Sequence, residues 1–313
     1  MMSELALSPR SHHAAGKAIL LGEHFVVYGV SSLAVALPSA VQISSEAASA
    51  WVLEIPQWSL SLPPDSKGSE LERAFHALLS ALPESRPLRL SASLRLPSGV
   101  GLGSSASLGV AVMRAVMAAN SWDLSTAEQY EALFHWESIF HGTPSGFDHA
   151  SVLHEGLTLF RRFDSPPFQS LPLARDLHLL LAQIGPSAST KVMVDGVRAW
   201  RDAHPTVFAQ LLKEADARTE AFIDGLSNGT LYDLGELLQS NQRALQKIGV
   251  STPALDAACA KAISAGAYGS KLIGAGGGGC ILALCDADRL PKVQSSLQDL
   301  AALTIPLHLP ASI

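Results

Sequence analysis

The sequence predicts a chain of mixed helices and strands organised as two domains. Three observations carry this reading. The 313 residues suit two domains of ordinary size, or one large one, with a real core in either case. A strand, a glycine-rich loop and a helix follow one another between residues 88 and 116. A join containing Pro166, Pro167 and Pro172 then separates this part from a helix-rich stretch that closes with strands.

Along the chain, residues 17–46 hold short apolar segments divided by Gly22, Gly29 and Pro38, which read as strands joined by turns. In 88–96, Leu88, Leu90, Ala92, Leu94 and Leu96 alternate with Arg89, Ser91, Ser93 and Arg95, the period of a half-buried strand, and the run stops at Pro97. Leu108, Val112 and Val116 then recur every four residues, the buried stripe of a helix starting near Ser104. Ser125 is placed to cap a second helix that runs to about Phe140, so His141-Gly142-Thr143-Pro144-Ser145-Gly146 is a loop. Segments 157–162 and 178–184 read as strands on either side of the prolines. Helices are expected at 189–203, 205–226, 230–248 and 253–266, strands at 269–273 and 280–285, a helix from Asp288 and a last strand at 303–309. No internal repeat or low-complexity tract interrupts this order.

Composition narrows the function. With 48% apolar and 16% charged residues, 24 Gly and 18 Pro, the chain reads as a folded, loop-punctuated enzyme. The net charge of −6 and the lack of a Lys/Arg cluster argue against a nucleic-acid partner. Cys259, Cys280 and Cys285 are odd in number and form no disulfide framework or C-x-x-C pair, which points to a reducing compartment, with Cys280 and Cys285 as small core residues. No basic leader precedes a long apolar stretch, and no uncharged run reaches the roughly 18 residues that span a bilayer. A soluble, cytoplasmic protein without a membrane partner is expected.

Three segments carry chemistry. In Pro97-Ser98-Gly99-Val100-Gly101-Leu102-Gly103-Ser104-Ser105-Ala106, the glycines let the backbone approach an anion, and the following helix offers free N–H groups and the positive end of its dipole. The hydroxyl of Ser105, in the first turn, is placed to reach Mg²⁺. The plainer reading is a turn that lets strand and helix pack closely. A Walker A tripeptide Gly-Lys-Ser/Thr is absent, and Gly274-Ala275-Gly276-Gly277-Gly278-Gly279 meets the dinucleotide fingerprint trivially, without its βαβ context. The chain entropy lost on ordering five glycines in six residues favours a purpose beyond packing, namely backbone amides turned to a ligand. In the third segment, Glu137 stands on a helix and Asp148 just after a constrained turn. Mg²⁺ takes one or two carboxylates plus phosphate oxygens, so Glu137 and Ser105 could share a metal and leave Asp148 for an acceptor; solvated surface acids are the alternative. His135-x-Glu137 lacks the Pro-Cys-x-x-Cys partner of a zinc deaminase. His141, His149 and His154 read as structural or loop histidines.

These segments, together with Gly16-Lys17-Ala18-Ile19-Leu20-Leu21-Gly22-Glu23-His24, resemble the superfamily of galactokinase, homoserine kinase, mevalonate kinase and phosphomevalonate kinase, and within it the mevalonate kinase branch. Order and spacing agree across Gly-Lys-x-x-Leu-x-Gly-Glu-His, Gly-Leu-Gly-Ser-Ser-Ala, Glu-x(4)-Gly-x-Pro-Ser-Gly-x-Asp and Lys-Leu-x-Gly-Ala-Gly-Gly-Gly-Gly-Cys. Further matching text lies at Ser189-Thr190-Lys191, Asn241-Gln242 and Pro253-Ala254-Leu255-Asp256, so the resemblance spans about residues 14–285.

The resemblance implies an α+β fold with an N-terminal domain, 1–172, shared with a ribosomal-protein domain, and a ferredoxin-like C-terminal domain, 173–313, that carries loop 274–279. The active site would lie in the cleft between them. It implies phosphoryl transfer from ATP, with Mg²⁺, to the C5 hydroxyl of (R)-mevalonate; the alternatives are phosphomevalonate kinase or another kinase of the superfamily, and a ligand-binding regulator without chemistry, against which Lys17, Ser105, Glu137 and Asp148 argue. Gly99, Val100, Gly101, Leu102, Gly103, Ser104 and Ser105 would wrap the phosphates, and Gln57 would lie near the base or ribose. Ser105 and Glu137 would hold Mg²⁺. Lys17, Glu23, His24, Ser145, Thr190 and Gly276 would line the acceptor pocket, with Asp148 at the reacting hydroxyl and Lys17 beside it as the catalytic cation. A homodimer is compatible with this assignment. The chain departs from the family pattern at Ile273, where the third motif usually has Thr, and at Leu108, where animal relatives carry Tyr.

Overall fold

The structure, a computed structural model, describes residues 10–97, 99–142 and 144–312. Ser98 and Thr143 of the motifs above lie outside the described residues. In chain order, β1 (Arg10–Leu21) and the long β2 (Ser32–Ala47) lead to β3 (Val52–Ile55), β4 (Leu60–Leu62), α1 (Glu70–Ala81) and β5 (Leu88–Leu94). Then come α2 (Ser104–Asn120), α3 (Thr126–His141), α4 (Phe147–Leu153), β6 (Leu157–Phe160) and β7 (Phe168–Leu171). The remainder holds β8 (Leu177–Gln183), α5 (Thr190–Ala203), α6 (Pro205–Asn228), α7 (Leu231–Lys247), α8 (Pro253–Ser264), β9 (Gly269–Leu272), β10 (Cys280–Cys285), α9 (Leu290–Ser296) and β11 (Leu303–Leu309). Two compact units emerge, each assembled from separate stretches of chain.

The first unit comprises 10–16, 37–97 and 103–153. Its strands run β4-β3-β5-β2, with β5 antiparallel to residues 41–47 of β2 and parallel to β3. The apolar face that alternation assigns to β5 is buried at Leu88, Leu90 and Ala92, in one core with Phe75, Val112, Leu133 and Trp136. Burial of each such large side chain contributes about 1.5–3 kcal/mol. α2 is apolar almost all round and correspondingly buried from Ala106 to Met113. α3 starts at a capping box, in which the Ser125 N–H donates to Glu128 Oε2 (2.7 Å) and the Glu128 N–H to Ser125 Oγ (3.3 Å). α3 is seated against α2 at Gly109, where a Cβ would come within 2.9 Å of the Trp136 ring.

The second unit comprises 17–36, 99–102 and 154–312. Residues 32–35 of β2 pair with β6, and β6 with β7. A second sheet, antiparallel in the order β11-β8-β10-β9, packs with helical residues around Leu180, Phe208, Leu245, Leu255 and Ile281. Cys259, Cys280 and Cys285 are free, buried thiols, as expected of core residues. Burial pushes them up to about 11, 12 and 12 respectively, so they stay protonated and inert. Among the described residues, no helix is long and apolar enough to cross a membrane.

Several elements depart from the sequence expectation. β2 is one strand rather than two, because Pro38 falls between the stretch paired with β6 and the stretch paired with β5. α1 was not expected, although Ser69 and Glu72 form its capping box and Ala74, Phe75 and Leu78 its buried face. α4 begins directly after the constrained turn. α8 stops at Ser264, short of 266, where Gly266 takes a φ of 119°.

Candidate active site

In the first unit, three helix ends converge on one cluster. Ser105, in the first turn of α2, donates through Oγ to Glu137 Oε1 at 2.8 Å, and Ser105 O accepts from Trp136 Nε1 at 3.1 Å. Glu137 stands one turn before the end of α3 and is 1% exposed. His141, four residues on and therefore on the same helix face, brings Nε2 within 3.2 Å of Glu137 Oε2. Asp148 lies in the first turn of α4, whose start is fixed by the Phe147 N–H donating to Ser145 Oγ (3.2 Å). One ligand atom from each of Glu137, His141 and Asp148 lies within 4.8 Å of the others. The buried Glu137 carboxylate and the Ser105 hydroxyl are hard oxygen donors that fit Mg²⁺ with phosphate oxygens and water completing the shell, and the Asp148 carboxylate stands close by. The start of α2 adds free N–H groups and a positive dipole end beside Ser105.

His149 takes no part in this cluster. It is buried beside Tyr130 and Phe134, with ring centroids 4.6 and 5.9 Å away, and desolvation lowers it to about 4 so that it is neutral. This agrees with its reading as a structural histidine. His141, grouped with it in the sequence reading, lies instead against Glu137 at the end of α3. The i,i+4 spacing from Glu137 was the signal that could have separated the two.

The second unit supplies loop 274–279, residues 99–102 of the other glycine loop, and the first motif from Lys17 onward, while Gly103 belongs to the first unit. Gly99, Gly101 and Gly103 all have positive φ, 71°, 88° and 80°. Val100 and Leu102 are buried anchors, and Leu102 O accepts the Lys17 N–H at 3.0 Å. Loop 274–279 packs on loop 99–102: a Cβ on Gly279 would lie 3.2 Å from Val100 O. Close backbone contact accounts for Gly101, whose Cβ would lie 3.0 Å from Ile273 O, whereas a Cβ on Gly99 would meet nothing within 4 Å and its positive φ is what calls for glycine. Gly276, with φ of 79°, would place a Cβ 2.2 Å from Val250 O, and the neighbouring Gly277 N–H donates to that carbonyl at 2.8 Å. Close packing is thus one reason for glycine at position 276, beside the ligand-facing role that the entropy cost of this loop favours.

Glu23 is 2% exposed and its carboxylate is fully engaged, one oxygen with Lys271 Nζ and the other accepting from Asn241 Nδ2 at 3.0 Å. Lys271 Nζ also donates to Ile19 O at 3.1 Å, and burial lowers its pKa while Glu23 opposes that shift. Sequence reasoning quoted Lys271 in a motif without giving it a partner. His24 adopts a positive φ of 60°, costly for a non-glycine residue, and its Nε2 lies 2.8 Å from Ala275 O. A carbonyl only accepts, so Nε2 carries the proton. Burial lowers the imidazole's pKa, and in the neutral ring Nδ1 is then an acceptor suited to a hydroxyl. Thr190 is the exposed first residue of α5. In the first unit, exposed Gln57 donates to Ser93 Oγ and Leu94 O, both at 3.2 Å, and accepts from the Leu94 N–H, so its amide is occupied at the end of β5. Ile273 is buried, its N–H donating to Cys280 O (2.9 Å), and Leu108 belongs to the core of the first unit.

Comparison with known proteins agrees with this arrangement. The family models "GHMP kinases N terminal domain" and "GHMP kinases C terminal" match residues 69–156 and 222–302. A mevalonate kinase of Methanothermobacter thermautotrophicus is 30% identical, over 88% of this chain and 90% of its own length. One from Pyrococcus abyssi is 31% identical, covering 87% of each. The crystal structure of L. major mevalonate kinase in complex with R-mevalonate superposes with a TM-score of 0.84 at 26% identity, over 99% of both chains. With relatives of this identity along nearly the whole chain, and both family models in their expected order, the chain belongs to the GHMP kinases and has their two-domain α+β fold.

Proposed function

We propose that this chain is an ATP-dependent kinase that transfers the γ-phosphoryl group to the C5 hydroxyl of (R)-mevalonate, giving 5-phosphomevalonate and ADP. The observation that carries the proposal is the cluster of Ser105, Glu137 and Asp148 at the converging ends of α2, α3 and α4. Gly99 to Ser105 wrap the triphosphate with backbone N–H groups. Ser105 and Glu137 would hold Mg²⁺, which supplies neutralisation of the phosphate charge when bound. Asp148 orients the acceptor hydroxyl and takes its proton as the new O–P bond forms and the bond to the β-phosphate oxygen breaks. A carboxylate is too weak a base to deprotonate an alcohol beforehand, so proton transfer accompanies bond formation. The Lys17 ammonium stabilises charge on the transferring oxygens, and alignment supplies most of the remaining acceleration.

His24, with Nδ1 as acceptor, binds a substrate hydroxyl, while Glu23 acts through the backbone that leads into His24. Ser145, Thr190 and Gly276 complete the acceptor pocket, and Gln57 contacts the nucleotide only if its bonds to β5 open. The buried free thiols suit a reducing cytoplasm, and a homodimer is the assembly to test by sedimentation. The deciding experiment is NMR identification of the product after incubation with Mg-ATP and a panel of alcohols. Phosphate on C5 of mevalonate is expected. Phosphate on C3, preference for 5-phosphomevalonate as acceptor, or no transfer at all overturns the proposal.

A further inference from the structure

The edge of the antiparallel sheet in the second unit carries three side chains that the proposed reaction does not use. β11 is one of the two edge strands, and its register against β8 sets His308 directly opposite His178. Residues opposite one another on antiparallel strands share a face, and Asp176, two residues before His178, falls on that face as well. The two imidazole rings stack, with centroids 4.6 Å apart and planes 5° from parallel. His308 Nε2 is 3.1 Å from Asp176 Oδ2, while Asp176 Oδ1 accepts the Ala311 N–H at 2.8 Å. The carboxylate is thus oriented by backbone beyond the end of β11. One ligand atom from each of the three residues lies within 4.8 Å of the other two. The side chains of Asp176 and His308 are 55% and 52% exposed, which leaves room for an ion and its water.

We propose that Asp176, His178 and His308 form a binding site for an imidazole-preferring divalent cation, Zn²⁺. Two imidazole nitrogens and one carboxylate oxygen are a common three-ligand zinc set, and a water completes the tetrahedron. The ion occupies the position of the proton now held between His308 Nε2 and Asp176 Oδ2. Mg²⁺ prefers oxygen ligands and does not compete here, so this site and the Ser105–Glu137 site select different metals. Zinc at this position fastens the edge strand β11 to β8. Because it binds the folded chain and finds no preformed site in the unfolded one, it raises thermal stability.

The test is calorimetric titration of the metal-stripped, full-length chain with Zn²⁺ in excess Mg²⁺, with melting temperature as a second readout. One Zn²⁺ per chain and a rise in Tm are expected. His178→Asn and His308→Asn should each weaken Zn²⁺ binding by more than about 100-fold, above the range for loss of an outer-shell partner, and remove the Tm rise. Kinase activity in Mg²⁺ should be unchanged in both variants, which confirms that they fold and separates this site from the reaction. His141→Gln should still bind Zn²⁺. The proposal is overturned if the wild-type chain takes up no Zn²⁺, if uptake survives in the His178 and His308 variants, or if His141→Gln abolishes it.

Discussion

Two glutamates of this chain lie almost wholly out of water, and their charges are met in opposite ways. Glu23, in the second unit, has Lys271 on one carboxylate oxygen and the Asn241 amide on the other. Glu137, in the first, faces the Ser105 hydroxyl and the His141 imidazole, with a second carboxylate, Asp148, close by. Removing a carboxylate from water costs several kcal/mol, recovered only when opposite charge and hydrogen bonds replace the solvent. At Glu23 the chain provides both. At Glu137 it gathers negative charge around a position that an incoming cation can fill. The first arrangement is closed by its own partners; the second is where the proposed reaction places its cation.

The sharpest break of this comparison comes from kinetics. Asp148→Asn preserves size but removes charge and proton acceptor, and should lower kcat by roughly 10²–10⁴ with little change in ATP affinity. Glu137→Gln and Ser105→Ala should instead weaken use of Mg-ATP, and a Mg²⁺ titration should relieve those two variants partly and Asp148→Asn not at all. Near-normal kcat in Asp148→Asn would remove it from the catalytic residues, and wild-type turnover across the titration in both other variants would refute the metal site.

Stability should reverse the ranking. Lys271→Met leaves Glu23 buried without its cation and should cost about 3–5 kcal/mol in denaturant unfolding, much of it regained when Glu23→Gln is added. Glu137→Gln should cost far less, since it relieves repulsion from Asp148. A neutral Lys271→Met would show that Glu23 does not depend on its partner.

The pH dependence provides a third comparison. His149 titrates at about 4 in the folded chain and near 6.5 in the unfolded one. Between those values the unfolded chain binds a proton that the folded chain refuses. Stability is therefore complete above pH 6.5 and declines as pH falls towards 4, by about 3 kcal/mol from this residue. His149→Phe should remove that part of the slope, and an unchanged slope would assign acid sensitivity elsewhere. The smallest effect serves as a neutral baseline. Ser107 is fully buried and its Oγ donates to Ala15 O (2.6 Å) and Gly103 O (2.8 Å), so Ser107→Ala should cost about 1 kcal/mol in the same unfolding assay.

The sequence by itself determined what depends on near neighbours. The alternation of 88–94, the Ser125 cap, the four-residue stripe of α2 and the order of the four motifs were legible because each depends on residues a few positions apart. From these followed the family, the reaction and the pairing of Ser105 with Glu137. Even α1 and the Glu137–His141 pair were legible in this sense, through a capping box and an i,i+4 spacing that went unread. Tertiary structure alone decided the rest. Lys271 reaches Glu23 across 248 positions, Gly276 is required by the carbonyl of Val250, and β2 runs through Pro38 because its two halves pair with different strands. Nothing in local periodicity reports which distant group will meet a buried charge or crowd a backbone. That information exists only once the chain has closed on itself, because desolvation and steric exclusion act between whichever atoms are brought together.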